Sequence, residues 1–162
     1  ELILKYAELN GLDARLMKAI IGAESHFHPR ARSPKGALGL MQVMPATGRM
    51  LGTAPRELTD PEANIRTGAA YLKVLFDTAE RRWRLRGIAH SDAPLWVIQR
   101  VIAAYNAGPR AFSRTAWPRQ TRSYVRKVLL FYQTRVTDIR RPAQAERPAP
   151  EVSWTPAGGL LY

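Results

Sequence analysis

Apolar residues recur every three or four positions along most of this chain, and no segment shows the polar-apolar alternation of a half-buried strand. Glycines, prolines and capping residues interrupt this pattern at intervals, so the sequence predicts a series of separate helices. We therefore expect an all-α fold. The predicted helices span about 1–10, 13–25, 39–44, 46–51, 60–82, 92–108 and 121–136.

Several predicted helices have recognisable ends. Gly11 is expected to end the first helix, whose inward face would include Leu9. A proline follows Asp60 at the start of the long helix, where its fixed backbone angle suits the first turn. We expect side-chain caps at Asp13, at Asp60 and at either Ser91 or Asp92.

A chain of 162 residues, 46% of them apolar, is long enough for one domain with a sizeable core. We assign 1–140 to that domain and 141–162 to a proline-rich linker and tail. The chain has no cysteine, which excludes disulfides, thiol nucleophiles and cysteine-ligated metals. No apolar run approaches the roughly 18 residues of a membrane span. The residues after Glu1 lack the basic start and cleavage site of a signal peptide.

The formal net charge is +12, from 25 lysines and arginines against 13 aspartates and glutamates. Arginine is concentrated at 81–86 and 110–141. Such a surface favours a polyanionic partner. Charge alone leaves open whether that partner is nucleic acid, an anionic membrane or another anionic polymer.

One carboxylate lies in an apolar context. Helical spacing in the second predicted helix puts Leu16, Ile20 and Glu24 in one row. A carboxylate in line with apolar side chains is expected to be partly desolvated. Desolvation raises its pKa toward the value that a general acid needs at neutral pH. The ordinary alternative for a glutamate is a paired surface carboxylate.

Short segments occur downstream in an order that is typical of one enzyme family. They are ES at 24–25, SPKGA at 33–37, GLMQVMP at 39–45, DPEANI at 60–65, AYNAG at 104–108 and QTRSYV at 120–125. Together they resemble the catalytic domain of the soluble lytic transglycosylases, lysozyme-like enzymes that cleave peptidoglycan. The resemblance covers roughly 4–133 and implies a lysozyme-like helical domain of the goose type.

The resemblance implies that Glu24 is the sole catalytic acid and base. It also implies that the hydroxyl of Ser33 polarises the substrate and that the hydroxyl of Tyr105 holds the Glu24 carboxyl in position. Each of the two hydroxyl residues has an ordinary alternative. Ser33 suits a turn before Pro34, and Tyr105 suits a buried tyrosine that caps the core.

The resemblance further implies that Gln42, Met44 and Tyr124 line or complete the sugar groove. Gln42 offers donors and acceptors to sugar amides and hydroxyls, and Met44 a flat apolar contact, although a methionine at helical spacing is ordinarily core. Gly39 is expected to allow a close backbone approach or a positive φ, the alternative being a plain helix start. Gln120 replaces a glutamate of the family pattern, so a charged role there is lost.

A single carboxylate suits an intramolecular reaction, whereas ordinary glycosidases use two. The resemblance implies that Glu24 protonates the oxygen between N-acetylmuramic acid and N-acetylglucosamine. It then deprotonates the C6 hydroxyl that attacks C1, and a 1,6-anhydromuramic end results. The nearest alternative is a goose-type lysozyme that hydrolyses this bond, for which Asp77 or Asp92 would have to activate water.

Alternatives from other classes have less support. A basic nucleic-acid-binding helical protein should show a helix-turn-helix or basic-zipper pattern, and neither stands out, so we expect no nucleic-acid partner. A non-catalytic wall-binding module would leave Glu24 unexplained. His26 and His28 lack the His-Glu-x-x-His spacing of a zinc site, and we expect neither a metal nor another cofactor.

The resemblance implies glycan strands of peptidoglycan as the partner, and their carboxylated peptide stems suit a basic protein. We expect a monomer without a transmembrane segment, in the periplasm or cell envelope. The sequence leaves the pathway open. Components of an envelope-spanning secretion, conjugation or pilus machine are candidate partners, while recycling, phage entry and division are equally compatible.

Overall fold

The computed structural model describes residues 1–85, 87 and 89–134. Within these residues the α-helices are α1 (Leu2–Asn10), α2 (Ala14–Ser25), α3 (Pro45–Met50), α4 (Pro61–Trp83), α5 (Leu95–Ala107) and α6 (Arg119–Gln133). Short 3-10 helices cover Pro55–Thr59, His90–Asp92 and Pro109–Ser113. Extended pairing in the described part of the chain is limited to two isolated bridges, which confirms an all-α fold there. The predicted linker and tail lie outside the described residues.

The predicted ends of the first helices are confirmed. Gly11 follows α1 in the left-handed conformation, with φ at 63°. The Asp13 side chain accepts the backbone N–H of Arg15 at 2.8 Å and begins α2. Asp60 accepts the N–H of Ala63 at 2.8 Å and begins α4. These caps satisfy N–H groups that a helix start leaves unpaired, and they fix where each helix begins.

The predictions for the inward face of α1 and for the cap of α5 are wrong. Leu9 is 70% exposed rather than inward-facing, and Ala7, at 2%, takes the buried position on α1. Neither Ser91 nor Asp92 caps α5, because Asp92 ends a 3-10 turn and Pro94 stands directly before the helix without a side-chain cap.

The segment 39–44, predicted as a short helix, is instead a tight loop. The backbones of Leu38 and Val43 pair in both directions, at 3.0 and 2.9 Å. Gly39 and Gln42 both have positive φ, at 76° and 48°, which no right-handed helix allows. The helix predicted next to it does form, as α3, with Pro45 in its first turn.

The core is built around α2, which is buried along nearly its whole length and packs most extensively against α6. Helix α4 packs against α1 and α5, and α5 packs against α6. The largest fully buried side chains include Leu16, Met17, Ile20, Ile21, Met41, Leu58, Leu72, Leu75, Val101, Ile102 and Val128. The last turn of α2 therefore emerges from the centre of the core.

Helix α4 runs one residue beyond its predicted end, to Trp83. The Trp83 ring makes edge contacts with Trp96 and Phe112, with ring centroids 5.0 and 5.6 Å apart. These contacts join the C-terminal end of α4 to the α5 side of the domain. Among the described residues, none of the helices combines the length and apolar character needed to cross a membrane.

Candidate active site

Glu24 lies in the last turn of α2 and faces a cleft of about 700 Å³. The two residues below it in the helical row, Leu16 and Ile20, are 1% and 0% exposed. Burial raises the pKa of Glu24 from the usual 4.5 to about 7, although a hydrogen bond from Tyr124 and the positive charge of Lys127 both lower it. The predicted desolvation of this carboxyl is confirmed. Its effect on the pKa is larger than the opposite effects of Tyr124 and Lys127, which both stabilise the charged form.

The hydroxyl of Tyr124 donates to Oε1 of Glu24 at 2.7 Å. Burial, followed by the neighbouring Glu24 charge, raises the pKa of Tyr124 well above its usual value. Tyr124 therefore stays protonated and remains a donor at neutral pH, where Glu24 titrates. Because Oε1 accepts this bond, Oε2 is the oxygen left to hold the proton of the neutral carboxyl.

Tyr105 does not make the contact that was expected of it. Its hydroxyl donates to the backbone oxygen of Met41 at 2.9 Å, and its ring packs against Tyr71 with centroids 5.5 Å apart. Burial, and next the charge of Glu24, raise the pKa of Tyr105 well above its usual value. Tyr105 is thus close enough for the charge of Glu24 to affect its pKa, but its hydrogen bond anchors the 39–44 loop. The hydroxyl that holds the Glu24 carboxyl is that of Tyr124.

The buried amide of Asn64 holds the 39–44 loop in place. Its Oδ1 accepts the N–H of Met41 at 2.7 Å, and its Nδ2 donates to the backbone oxygens of Leu38 and Leu58 at 2.8 and 2.6 Å. One side chain thus joins the loop to α4 and to the segment before it. A buried amide with these partners is fully used and resists rearrangement.

Gly39 is required by both the conformation and the packing of this loop. Its φ is 76°, and a Cβ atom would collide with the Asn64 amide and the Leu58 carbonyl oxygen. The predicted need for a positive φ or a close approach is confirmed on both counts. The alternative, a plain helix start, is wrong.

Gln42 and Ser33 both line the Glu24 cleft. The amide nitrogen of Gln42 donates to the backbone oxygens of Gly39 and Ala31, at 2.9 and 3.2 Å. Its carbonyl oxygen is the group that remains to accept a bond from a ligand. The Ser33 hydroxyl oxygen accepts the N–H of Ala37 at 3.0 Å, and its own proton stays available to donate. The turn interpretation of Ser33 and a role in the cleft are therefore compatible.

Met44 is 42% exposed and stands at the N-terminus of α3, so the interpretation as a core methionine is wrong. The methionine of this loop that fills the core is Met41, which is 0% exposed. A Cβ atom at Gly68 of α4 would meet the Met41 side chain, so the loop sits directly on this helix.

Sequence reasoning missed two residues. Lys127 donates from Nζ to the backbone oxygen of Ala23 at 2.8 Å, at the end of α2 where carbonyl groups lack helical partners. Its spacing of three from Tyr124 puts both side chains on one face of α6, which is the signal that could have found it. Asn64 lies in the DPEANI segment, a pattern that predicts a helix start and does not indicate a buried amide.

The carboxylates considered for activating water lie elsewhere. Asp77 pairs with Lys73 at 2.8 Å and with His90 at 3.4 Å, and it lines a different depression. Asp92 is exposed in a 3-10 turn. Neither belongs to the set of residues that line the Glu24 cleft.

One group among the described residues has the composition of a metal site. The ligand atoms of Asp77, Glu80 and His90 lie within 4.8 Å of one another. Lys73 occupies both carboxylate oxygens of Asp77, at 3.0 and 2.8 Å, so an ion would have to displace an existing pair. Near Glu24, Nδ1 of His28 lies 2.9 Å from the backbone oxygen of Ser25. This contact within the loop occupies one of the two ring nitrogens that could bind a metal.

The sequence profile described as Transglycosylase SLT domain matches residues 1–127. Membrane-bound lytic murein transglycosylase C of Edwardsiella ictaluri is 40% identical over 67% of this chain and 30% of the relative. The Transglycosylase of Enterobacteria phage PRD1 is 34% identical over 73% of this chain and 37% of the relative. The matched part of this chain therefore corresponds to only about a third of the length of each relative.

Two solved structures share the fold. The lytic transglycosylase Slt of Pseudomonas aeruginosa superimposes with a TM-score of 0.60 at 30% identity, over 80% of this chain and 22% of that one. The 70 kDa soluble lytic transglycosylase of Escherichia coli gives 0.60 at 29% identity, over 81% and 23%. The predicted lysozyme-like helical fold is confirmed, and the chain belongs to the transglycosylase SLT domain family.

Proposed function

We propose that this domain is a lytic transglycosylase. It would cleave the β-1,4 bond between N-acetylmuramic acid and N-acetylglucosamine in peptidoglycan and leave 1,6-anhydromuramic ends. The observation that carries the proposal is Glu24, a carboxyl with a pKa of about 7 that is the only acid among the described residues lining its cleft. The names of the relatives, lytic murein transglycosylase and transglycosylase, support the same activity.

The first step uses Glu24 as an acid. At neutral pH a carboxyl with a pKa of about 7 is protonated in roughly half of the molecules. Oε2 gives its proton to the glycosidic oxygen, the bond from that oxygen to C1 breaks, and positive charge develops at C1. The ionised carboxylate left behind is stabilised by the Tyr124 hydrogen bond and by the Lys127 charge.

The second step uses the same group as a base. The Glu24 carboxylate takes the proton of the muramic acid C6 hydroxyl while that oxygen forms a bond to C1. Glu24 is returned to its acid form, and no water is consumed. Because the attacking hydroxyl belongs to the same sugar, its effective concentration is high and a second carboxylate is unnecessary.

The substrate-binding residues would act from the loops around Glu24. The Ser33 proton and the Gln42 carbonyl oxygen are the groups available to the sugar amides and hydroxyls. Met44 offers an exposed thioether for contact with a pyranose face. Tyr105 and Gly39 act through the loop itself, since one anchors it and the other permits its conformation.

The mass of the products tests this proposal. Purified sacculi or isolated glycan strands are digested, and the released ends are measured by mass spectrometry. We expect anhydromuramic ends, which are lighter by one water than reducing ends. Reducing ends alone would support the goose-type lysozyme alternative. Absence of cleavage with retained binding to the wall would support a binding module.

We further propose that the domain acts as a monomer in the periplasm or cell envelope, on glycan strands. The relative from Edwardsiella ictaluri is named as membrane-bound, which agrees with a place at the envelope. Secretion, conjugation or pilus assembly would bring it together with components of an envelope-spanning machine. Co-purification of the full-length protein with crosslinked envelope complexes would test that association.

A further inference from the structure

The part of the Glu24 cleft that adjoins the 39–44 loop carries two arginines and two histidines. We name as the basic rim the four residues that line the cleft between α2 and Ser33, namely His26, His28, Arg30 and Arg32. Resting on the proposed function, we propose that the basic rim binds the free carboxylates of peptide stems, so that the domain selects glycan that still carries its stems.

The charge of the cleft supports this proposal. Glu24 is the only acid among the described residues that line the cleft, and at neutral pH it is protonated in roughly half of the molecules. The ion pairs found among the described residues include neither Arg30 nor Arg32. Both residues are exposed, which suits contact with an anionic ligand.

The backbone that carries the two arginines is held rigidly. The oxygen of Ala31, which lies between them, accepts the N–H of Gly39 at 2.9 Å and the Gln42 amide at 3.2 Å. The backbone of Arg32 forms an isolated antiparallel β-bridge with that of Leu38. The loop that presents Gln42 to the cleft is thus bonded directly to the basic rim, and a ligand would not have to order this backbone.

The two histidines extend the rim toward Glu24. Nδ1 of His28 lies 2.9 Å from the backbone oxygen of Ser25. Because a carbonyl oxygen can only accept a hydrogen bond, Nδ1 is the ring nitrogen that carries the proton in this contact. Nε2 is then the nitrogen that remains for a ligand. His26 follows α2 in a left-handed conformation with φ at 50°, and its exposed side chain lines the cleft beside Glu24.

The chemistry of the proposed substrate indicates which group meets this rim. The sugars on either side of the cleaved bond offer hydroxyls and acetamides, which carry no charge. The anionic groups are the carboxylates of the peptide stem, which is attached to the same muramic acid whose C1 reacts. Guanidinium groups bind carboxylates through paired, charge-assisted hydrogen bonds, so Arg30 and Arg32 suit this ligand.

The experiment compares three forms of one glycan preparation: strands with stems, strands with amidated stem carboxylates, and strands from which an amidase has removed the stems. The amidase frees a lactyl carboxylate on each muramic acid, and this group is then amidated in the stripped strands. The test variant is Arg30→Gln with Arg32→Gln. The matched control is Arg56→Gln with Arg110→Gln, which removes the same charge from exposed residues that do not line the cleft. The kcat/KM value is measured for each combination from the released muropeptides.

We expect the unaltered domain to cleave stem-bearing strands at least about tenfold better than stripped or amidated strands, in line with charge-assisted hydrogen bonds at a partly exposed site. The rim variant should lose most of this preference and cleave stripped strands within about twofold of the unaltered domain. The control variant should keep the preference. The proposal would be overturned if the rim variant kept the preference for stem-bearing strands or if the control variant lost it equally. It would also be overturned if the unaltered domain cleaved strands with amidated stems as efficiently as strands with free stem carboxylates.

Binding separates this proposal from the proposed reaction. In a Glu24→Gln background, the affinity for soluble stem-bearing muropeptides is measured with and without the rim substitutions. Rim-dependent binding without any cleavage by the unaltered domain would refute the proposed reaction and retain the rim. Anhydro products without rim-dependent binding would retain the reaction and refute the rim.

Discussion

The hydroxyl of Tyr124 donates a 2.7 Å hydrogen bond to Oε1 of Glu24, although 100 residues separate them in sequence. The bond joins α6 to the last turn of α2, the two helices that pack most extensively on each other. The catalytic candidate is thus oriented by the same packing that builds the core. Substitutions at this contact should separate the orientation of Glu24 from its chemistry.

Glu24→Gln keeps the shape of the side chain and removes the titrating group. We expect the release of anhydro ends to fall by about 10²–10⁴-fold, because a positioned acid and base contributes roughly that much. The variant should remain folded by circular dichroism. Cleavage at the unaltered rate would refute the role of Glu24.

The same variant should be more stable than the unaltered domain at alkaline pH. The folded-state pKa of Glu24 is raised from 4.5 to about 7, so between these values the folded state binds more protons than the unfolded state. The free energy of unfolding therefore falls as pH rises through that window, by up to about 3 kcal/mol in total.

Gln does not titrate, so the stability difference between variant and unaltered domain should be near zero below pH 4.5, grow to pH 7 and then level off. Denaturant unfolding at several pH values measures it. A difference independent of pH would mean that Glu24 is not buried as described.

Tyr124→Phe should reduce kcat by roughly 10- to 100-fold, because a slightly misplaced catalytic group loses about that much. The Tyr124 bond lowers the pKa of Glu24, so its removal should also shift the alkaline limb of the pH profile upward. Tyr105→Phe is the matched control. It breaks the bond to the Met41 oxygen and should raise KM without moving that limb.

Lys127→Met should likewise move the alkaline limb to higher pH. The positive charge of Lys127 lowers the pKa of Glu24, and activity requires the protonated form in the first step. The other groups near Glu24, namely Tyr105, Tyr124 and the basic rim, are unchanged in this variant. Lys127→Arg keeps the charge and should keep the limb in place, while a limb that moves downward in Lys127→Met would contradict the proposed electrostatics.

Gly39→Ala should destabilise the domain more than Gly36→Ala does. Both glycines have positive φ, at 76° and 86°, so both substitutions cost about 1–2 kcal/mol in backbone strain. Only at Gly39 would the new Cβ also collide with Asn64 and the Leu58 oxygen, whereas at Gly36 the space is open. Thermal unfolding of the two variants compares them, and equal losses would contradict the close packing of the loop.

Periodicity and capping residues were sufficient to predict most helices, because α2 and α4 have apolar faces and side-chain caps that act within a few residues. They failed for the 39–44 loop. The left-handed conformation of Gln42 is not signalled by a glycine, and the loop is imposed from a distance by Asn64. Local preferences cannot predict a conformation that tertiary hydrogen bonds determine.

The catalytic candidate itself was predictable, since Glu24 continues a row of apolar residues within one helix. Its partner was not. Tyr105 and Tyr124 both stand on apolar helix faces, and only the crossing of α2 with α6 decides which hydroxyl reaches the carboxyl. Lys127 was missed for the same reason, because its contact with Ala23 depends on that crossing.

We expect that removal of 141–162 leaves a soluble and active domain, in keeping with the proposed boundary at residue 140. The last helix of the described core is α6, which ends at Gln133, and the family match ends at 127. Every candidate site residue precedes both positions. The melting temperature and the rate of sacculus digestion are compared for the shortened and full chains. A drop in melting by many degrees would contradict the boundary. In that case, contact between the removed segment and the groove lined by Leu95, Trp117 and Leu130 would be the first explanation to test.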